Sequence, residues 1–392
     1  METVYFDNNA TTAVAPEVFE AMTPFLTRFY GNPSSIHTFG GQVMAHIDTA
    51  RERVASLLGA QPSEIIFTSC GTESDNGALR SAMFTQRGRN KLVVSQVEHP
   101  AILNVAKDLE RDGVEVVKLP VDAKGRLDME YAKNVIDEQT ALVSIMWANN
   151  ETGNIQPVRA LSELAHAKGA LFHTDAVQAV GKVPMDLSEG WVDFLSLSGH
   201  KLHAPKGVGA LYVRRGVRFH PFVLGGHQES GRRAGTENVA SVVGLGMAAE
   251  LAARNIKHEN TEVRALRDRL EQGILDTIPG VRVNGDLEHR LPNTSSVSFE
   301  CIEGESILML LDRHGICASS GSACTTGSLE PSHVLRAMGL PYTAAHGTIR
   351  FSLSRYNTPA EVDFVLTNLP PIIARLREIS PYWKSSHSGV SG

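Results

Sequence analysis

Between residues 16 and 212 the chain alternates short β-rich runs with stretches whose apolar residues recur at helical spacing. Residues 64–68, 91–94, 114–119, 141–146, 171–173 and 194–196 read as strands, and 40–58, 73–87, 100–111 and 158–168 as helices. Apolar strands that alternate with helices predict a mostly parallel sheet covered on both faces, an α/β fold. Such sheets bind ligands beyond the carboxyl ends of their strands. The residues just after each strand are therefore the ones to examine.

The pattern changes after a long helical stretch at 239–275. Strand-like runs at 281–284 and 295–300 precede a helix at 305–314, a Gly/Ser/Cys loop, a helix at 331–338, a strand at 348–353 and a last helix from Pro359. The expected organisation is a large domain at 12–255 and a small α+β domain built from 1–11 and 256–384. The small domain carries a cysteine loop at about 317–330, and a small, polar tail at 385–392 is expected to be disordered. A length of 392 residues suits two domains, and 42% hydrophobic content suits a buried core.

Charge narrows the partners. With 37 Lys plus Arg against 43 Asp plus Glu, the net of −6 gives no electrostatic reason to bind nucleic acid or an anionic membrane. No apolar run approaches the ~20 residues of a membrane span, and Met1-Glu2-Thr3 opens no secretory signal. The expectation is a soluble cytoplasmic protein. Cys70, Cys301, Cys317 and Cys324 form neither a disulfide framework nor a metal-ligand set. No intrinsic metal is expected, and a cysteine with a special role would be a reactive one.

Four strand ends carry chemistry. The 171–173 run continues into Thr174 and Asp175, with Gln178 following; the 194–196 run leads through Ser198, Gly199 and His200 to Lys201. The 64–68 run ends at Gly71-Thr72 at a helix start, where free N–H groups favour a phosphate. His99 follows a fourth strand. A phosphate cradle, an acid, a lysine and a planar side chain are what a pyridoxal 5'-phosphate site requires. Each piece alone has a commoner explanation: Asp175 as a helix cap, Lys201 as a solvated charge, His99 as a helix-start residue, Gly71-Thr72 as an ordinary turn.

The segment Ser198-Gly199-His200-Lys201-Leu202-His203-Ala204-Pro205-Lys206-Gly207 resembles the lysine segment of class V aminotransferase-fold enzymes, and among them the cysteine desulfurases. Asp7-Asn8-Asn9-Ala10-Thr11-Thr12, Gly71-Thr72-Glu73-Ser74-Asp75-Asn76, Asn149-Asn150-Glu151-Thr152-Gly153 and Arg233-Ala234-Gly235-Thr236-Glu237-Asn238 carry the same likeness, which runs nearly from Asp7 to Leu369. The run from Ser319 through Cys324 to Leu335 resembles the long cysteine loop of the nitrogen-fixation (NifS) type most closely. Many relatives have glycine where this chain has Ala204, a small change beside the lysine.

The resemblance implies fold type I of the pyridoxal-phosphate transferases. Lys201 would hold the cofactor covalently, Asp175 would pair with the pyridinium, Gln178 would bond the ring hydroxyl, and His99 would stack on the ring and move protons. Gly71, Thr72, Ser198, Gly199 and His200 would hold the phosphate, with Thr236 reaching in from the other subunit of a homodimer. Asn150 would touch cofactor or substrate, and Arg350 would bind the substrate α-carboxylate as a planar fork, assisted by Asn8. Cys324 would take sulfur from L-cysteine as a persulfide, releasing alanine, and pass it to an iron–sulfur scaffold serving nitrogenase. Any cluster ligation by Cys324 would be transient, during transfer. An ordinary aminotransferase or a selenocysteine lyase on the same fold remains an alternative, in which Cys324 would be dispensable. A cofactor-free sulfur carrier would lack the yellow of a lysine-bound cofactor.

Overall fold

The computed structural model describes residues 3–320 and 331–383. Cys324, most of the cysteine loop and the tail expected at 385–392 lie outside the described residues.

The strands in chain order are β1 (Val4–Tyr5), β2 (Ile65–Thr68), β3 (Lys91–Ser95), β4 (Glu115–Leu119), β5 (Thr140–Ser144), β6 (Leu171–Asp175), β7 (Phe194–Ser198), β8 (Gly209–Val213), β9 (Val281–Val283), β10 (Thr294–Phe299), β11 (Ile316–Cys317), β12 (Ser319–Ser320) and β13 (Thr348–Ser352). A seven-stranded sheet runs β2-β8-β7-β6-β5-β3-β4. Its pairings are parallel except that β8 lies antiparallel to both neighbours. The mostly parallel sheet expected from the sequence is thus present, with β8 as a strand outside that expectation.

Both faces of the sheet are buried, and neighbouring residues point to opposite sides. Val93 and Val143 pack into a core shared with the Met44–Leu58, Val158–Ala167 and Val239–His258 helices. Leu92, Val94 and Leu142 pack into a second core under the Gly71–Thr85 and Pro100–Arg111 helices. This two-sided burial is why the strand segments read as continuous apolar runs rather than as polar–apolar alternation.

A third core sits in a smaller α+β unit. The antiparallel sheet β12-β13-β10-β9 packs with Val263, Leu270 and Ile274 of one helical stretch and with Val362 to Leu376 of the Pro359–Ile379 helix. Val4 and Phe6 join this core, and β1 pairs in parallel with β11. The N-terminal segment therefore begins in the smaller unit before the chain enters the large sheet. The junction expected at 255/256 falls inside one continuous helical run, Val239–His258, a π-turn at Glu259–Val263, and Arg264–Thr277. That run has the length and apolarity of a membrane span, but most of its apolar window is buried inside the protein.

The Val239–His258 helix approaches the Met44–Leu58 helix so closely that a Cβ on Gly246 would lie 2.5 Å from the Ala50 Cα. Backbone cannot yield as a flexible side chain does. Gly246→Val should therefore lower stability by about 1–3 kcal/mol through overpacking, read as a shift of the denaturant midpoint. A midpoint equal to wild type would mean the crossing is looser than described.

Candidate active site

The carboxyl ends of β3, β5, β6 and β7 open into a cavity of about 370 Å³. Asn9, Gly71, Thr72, His99, Asn150, Asp175, Gln178, Ser198, His200, Lys201 and Arg350 all contribute to its wall, so the structure gathers most of the residues singled out in sequence. Lys201 closes a 3₁₀ turn, Gly199–Lys201, directly after β7. Its Nζ donates to the carbonyls of Asn9 and, at 2.7 Å, Ala10. Asp175 is the last residue of β6 and is buried; burial raises its carboxyl, while His99 and Lys201 pull it back down. The Gln178 Nε2 donates to the Asn9 carbonyl at 2.9 Å, and the buried Lys182 ammonium donates to the Gln178 Oε1 at 3.3 Å. That second contact fixes which way the amide points.

His99 caps the Pro100–Arg111 helix, its Nδ1 accepting from the Ala101 N–H at 3.1 Å. In the neutral ring the hydrogen therefore sits on Nε2. Burial pushes the imidazole below its ordinary value, which favours that neutral form. His200 is likewise lowered, to about 4, by burial and then by Lys201.

The phosphate cradle has a structural reason for each part. Gly71 opens the fifteen-residue Gly71–Thr85 helix, where backbone N–H groups lack intrahelical partners. A Cβ there would meet the Val177 Cγ2 at 2.7 Å, so only glycine lets this backbone reach the cavity. The buried Ser198 Oγ, beside Gly71, has no hydrogen-bond partner among the described residues. An orphaned hydroxyl next to free helix N–H groups suits a phosphate. With Lys201 and Asp175 across the same cavity, the residues fit pyridoxal phosphate.

Arg350, on β13, is almost wholly buried; one nitrogen donates to the Asn150 carbonyl at 2.9 Å and another to the Asp7 carboxylate at 2.8 Å. Among the described residues three of its five N–H groups, the buried Nε–H included, have no partner and are open to a carboxylate.

Three expected residues stand elsewhere. Asn8 points its amide at the Ser352 carbonyl (2.9 Å) and the Tyr5 carbonyl, tying down the N-terminal segment; its neighbour Asn9 faces the cavity instead. Gly199 shapes the turn before Lys201, donating to the Val208 carbonyl at 2.9 Å, and a Cβ there would strike Val208 at 2.8 Å. Thr236 is exposed and contributes to no cavity described for this chain.

The model of the aminotransferase class-V family matches residues 4–365. The chain belongs to the aminotransferase class-V family. A relative from Gluconacetobacter diazotrophicus named cysteine desulfurase is 61% identical over 100% of this chain and 98% of its own length. Cysteine desulfurase NifS of Azotobacter vinelandii is 59% identical over 98% of this chain and 96% of its own. A solved NifS-like protein superposes with a TM-score of 0.90 at 42% identity, covering 96% of this chain and 100% of that one.

The class-V site contains acids that sequence reasoning passed over. Asp75, one turn into the Gly71–Thr85 helix, is fully buried against the cavity; burial and then Asp175 hold its carboxyl well above the usual range. Glu98 lies beneath His99, accepting from the Ser95 hydroxyl at 2.6 Å and from the Met146 N–H. Glu151 is buried at the rim, raised to about 7 by burial, and accepts from the Ser332 hydroxyl. The available signal was an acid placed on an otherwise small or apolar run, as in Ser74-Asp75 before Gly77-Ala78-Leu79.

Burial lifts Glu98 from 4.5 to about 8. The folded chain therefore keeps a proton that the unfolded chain has already released, and the Glu98 contribution to stability falls as pH rises from 4.5 to about 8. Glu98→Gln, neutral at every pH, should lose this slope. Its unfolding midpoint should decline less than wild type across that window. Parallel pH curves for the two proteins would mean that Glu98 is ionised in the fold.

Proposed function

We propose that this protein is a cysteine desulfurase that uses pyridoxal 5'-phosphate to take sulfur from L-cysteine, releasing L-alanine and leaving a persulfide on Cys324. One observation carries the reading: Lys201, Asp175 and the Gly71 helix start with its orphaned Ser198 hydroxyl converge on a single cavity. The names of the close relatives agree with it. The cofactor, when bound, supplies an electron sink for charge developing at the substrate Cα.

The chain's own residues do the rest. Gly71, Thr72, Ser198 and His200 would hold the phosphate, and Asp175 would keep a proton on the ring nitrogen. Gln178, oriented by Lys182, donates to the ring oxygen. Lys201 would supply the amine that carries the group and would stand where a proton at the substrate Cα can be moved. His99, with its hydrogen on Nε2, would stack on the ring and move protons there. Arg350 fixes the substrate carboxylate, with Asn150 and Asn9 closing that side. Cys324 supplies the thiolate that receives sulfur. Its acceptor would be an iron–sulfur scaffold, in keeping with the relative named NifS, and the setting would be the reducing cytoplasm, where free cysteines persist.

We also infer a homodimer in which Thr236 of one protomer completes the phosphate site of the other. Thr236 is exposed, and Tyr30, Ile36 and Leu224 leave large apolar side chains in solvent, as a surface awaiting a second copy would. Sedimentation at micromolar concentration should give a dimer, and a fully active monomer would rule this out.

Two variants test the chemistry. Lys201→Ala should lose the visible absorbance of lysine-bound cofactor; an unchanged spectrum would assign another lysine. Cys324→Ala should keep that absorbance yet fail to release alanine from cysteine. Alanine and sulfide are measured together in both proteins. Alanine release at the wild-type rate would remove Cys324 from the mechanism and favour the aminotransferase or selenocysteine lyase reading.

A further inference from the structure

His333 belongs to the cavity wall and has no role in the chemistry above. It opens the short His333–Ala337 helix, directly after Ser332, whose hydroxyl is anchored on Glu151. Its Nε2 lies 2.9 Å from the backbone carbonyl of Glu98. A carbonyl only accepts, so Nε2 carries the hydrogen and the lone pair of the neutral ring is on Nδ1. Burial favours that neutral ring, holding the imidazole below its ordinary value. His99 is tethered the opposite way, through Nδ1, and keeps its hydrogen on Nε2. The two imidazoles thus supply one cavity with a donor and a base.

The other substrate groups already have partners: Arg350 for the carboxylate and the Lys201 position for the amine. The side-chain sulfur remains. We propose that the His333 Nδ1 accepts the thiol proton of the substrate, an assignment that rests on the desulfurase reading. As the acceptor thiolate forms the S–S bond, the S–Cβ bond breaks and its electron pair goes to carbon. The transferred sulfur still bears its hydrogen, which is more acidic in a persulfide than in a thiol. That proton passes from sulfur to Nδ1 as these bonds exchange, in the same step, and later leaves Nδ1 for solvent. His333 comes from the chain just beyond residues 321–330, on the side that connects to the acceptor cysteine in sequence.

The test uses His333→Gln in the holoenzyme. The glutamine amide can still donate to the Glu98 carbonyl, so folding is preserved, but it has no basic nitrogen. Alanine release from L-cysteine should fall by about 10²-fold, the usual scale for a lost general base. Release from L-selenocysteine should change little, because a selenol is the stronger acid and enters already ionised. Nitrogen-15 spectra of the wild-type imidazoles, with His333 assigned by its absence in the variant, should show hydrogen on Nε2. The proposal fails if the variant turns over cysteine at the wild-type rate, if both substrates suffer alike, or if the ring carries its hydrogen on Nδ1. Wild-type protein that releases no alanine from cysteine overturns the underlying reading, and the proposal with it.

Discussion

The site depends on one backbone carbonyl. The Asn9 oxygen accepts from both Gln178 and Lys201, and Lys201 also holds the Ala10 carbonyl. The same segment reaches the other unit, because the Asn9 N–H donates to the Ser352 hydroxyl and the Asp7 carboxylate pairs with Arg350. Residues 7–12 therefore connect the ends of β6 and β7 to β13. Together with the Arg350 bond to the Asn150 carbonyl, that strap holds Lys201 and Arg350 in one cavity wall. Positioning of this kind matters because a displacement of about 1 Å can cost 10²-fold in rate.

Around the strap the protein buries more ionisable groups than stability alone would favour. Asp75, Asp175, Glu98 and Glu151 lie in or under the cavity wall, and each is raised by burial. His173, whose ring nitrogens meet the Ser144 and Ser196 hydroxyls at 2.8 and 3.0 Å, is lowered to about 3 and so is neutral. Desolvation opposes charge in every case, so ionised and neutral groups are sorted by which ones have a partner. Asp175 has His99 and Lys201 to favour its carboxylate, whereas Asp75, more deeply buried, is pushed well toward its neutral form by burial and then by Asp175.

Much of this was legible beforehand. The period of the apolar residues and the turn chemistry at Gly71, Asp175 and Lys201 are local properties, and they placed the sheet, its helices and the strand-end residues. Asn8 and Asn9 show where local reading stops: two identical amides in sequence are separated by one step of an extended chain, and only the pairing with Ser352 and Thr294 decides which faces the cavity. Strand β8 escaped because an antiparallel hairpin partner has no crossover helix to announce it.

The residue sequence by itself determined the α/β architecture, most of the residues that meet in the cavity and the likeness to the desulfurases, because periodicity and short motifs are written along the chain. Tertiary structure alone decided which acids are buried, which imidazole nitrogen holds the hydrogen, and that His333 joins His99 in one cavity. Those facts arise from contacts between residues up to 235 positions apart, such as His333 with Glu98. Hydrogen-bond direction is a property of the packed chain, and an apolar run around an acid only narrows which acids packing will bury.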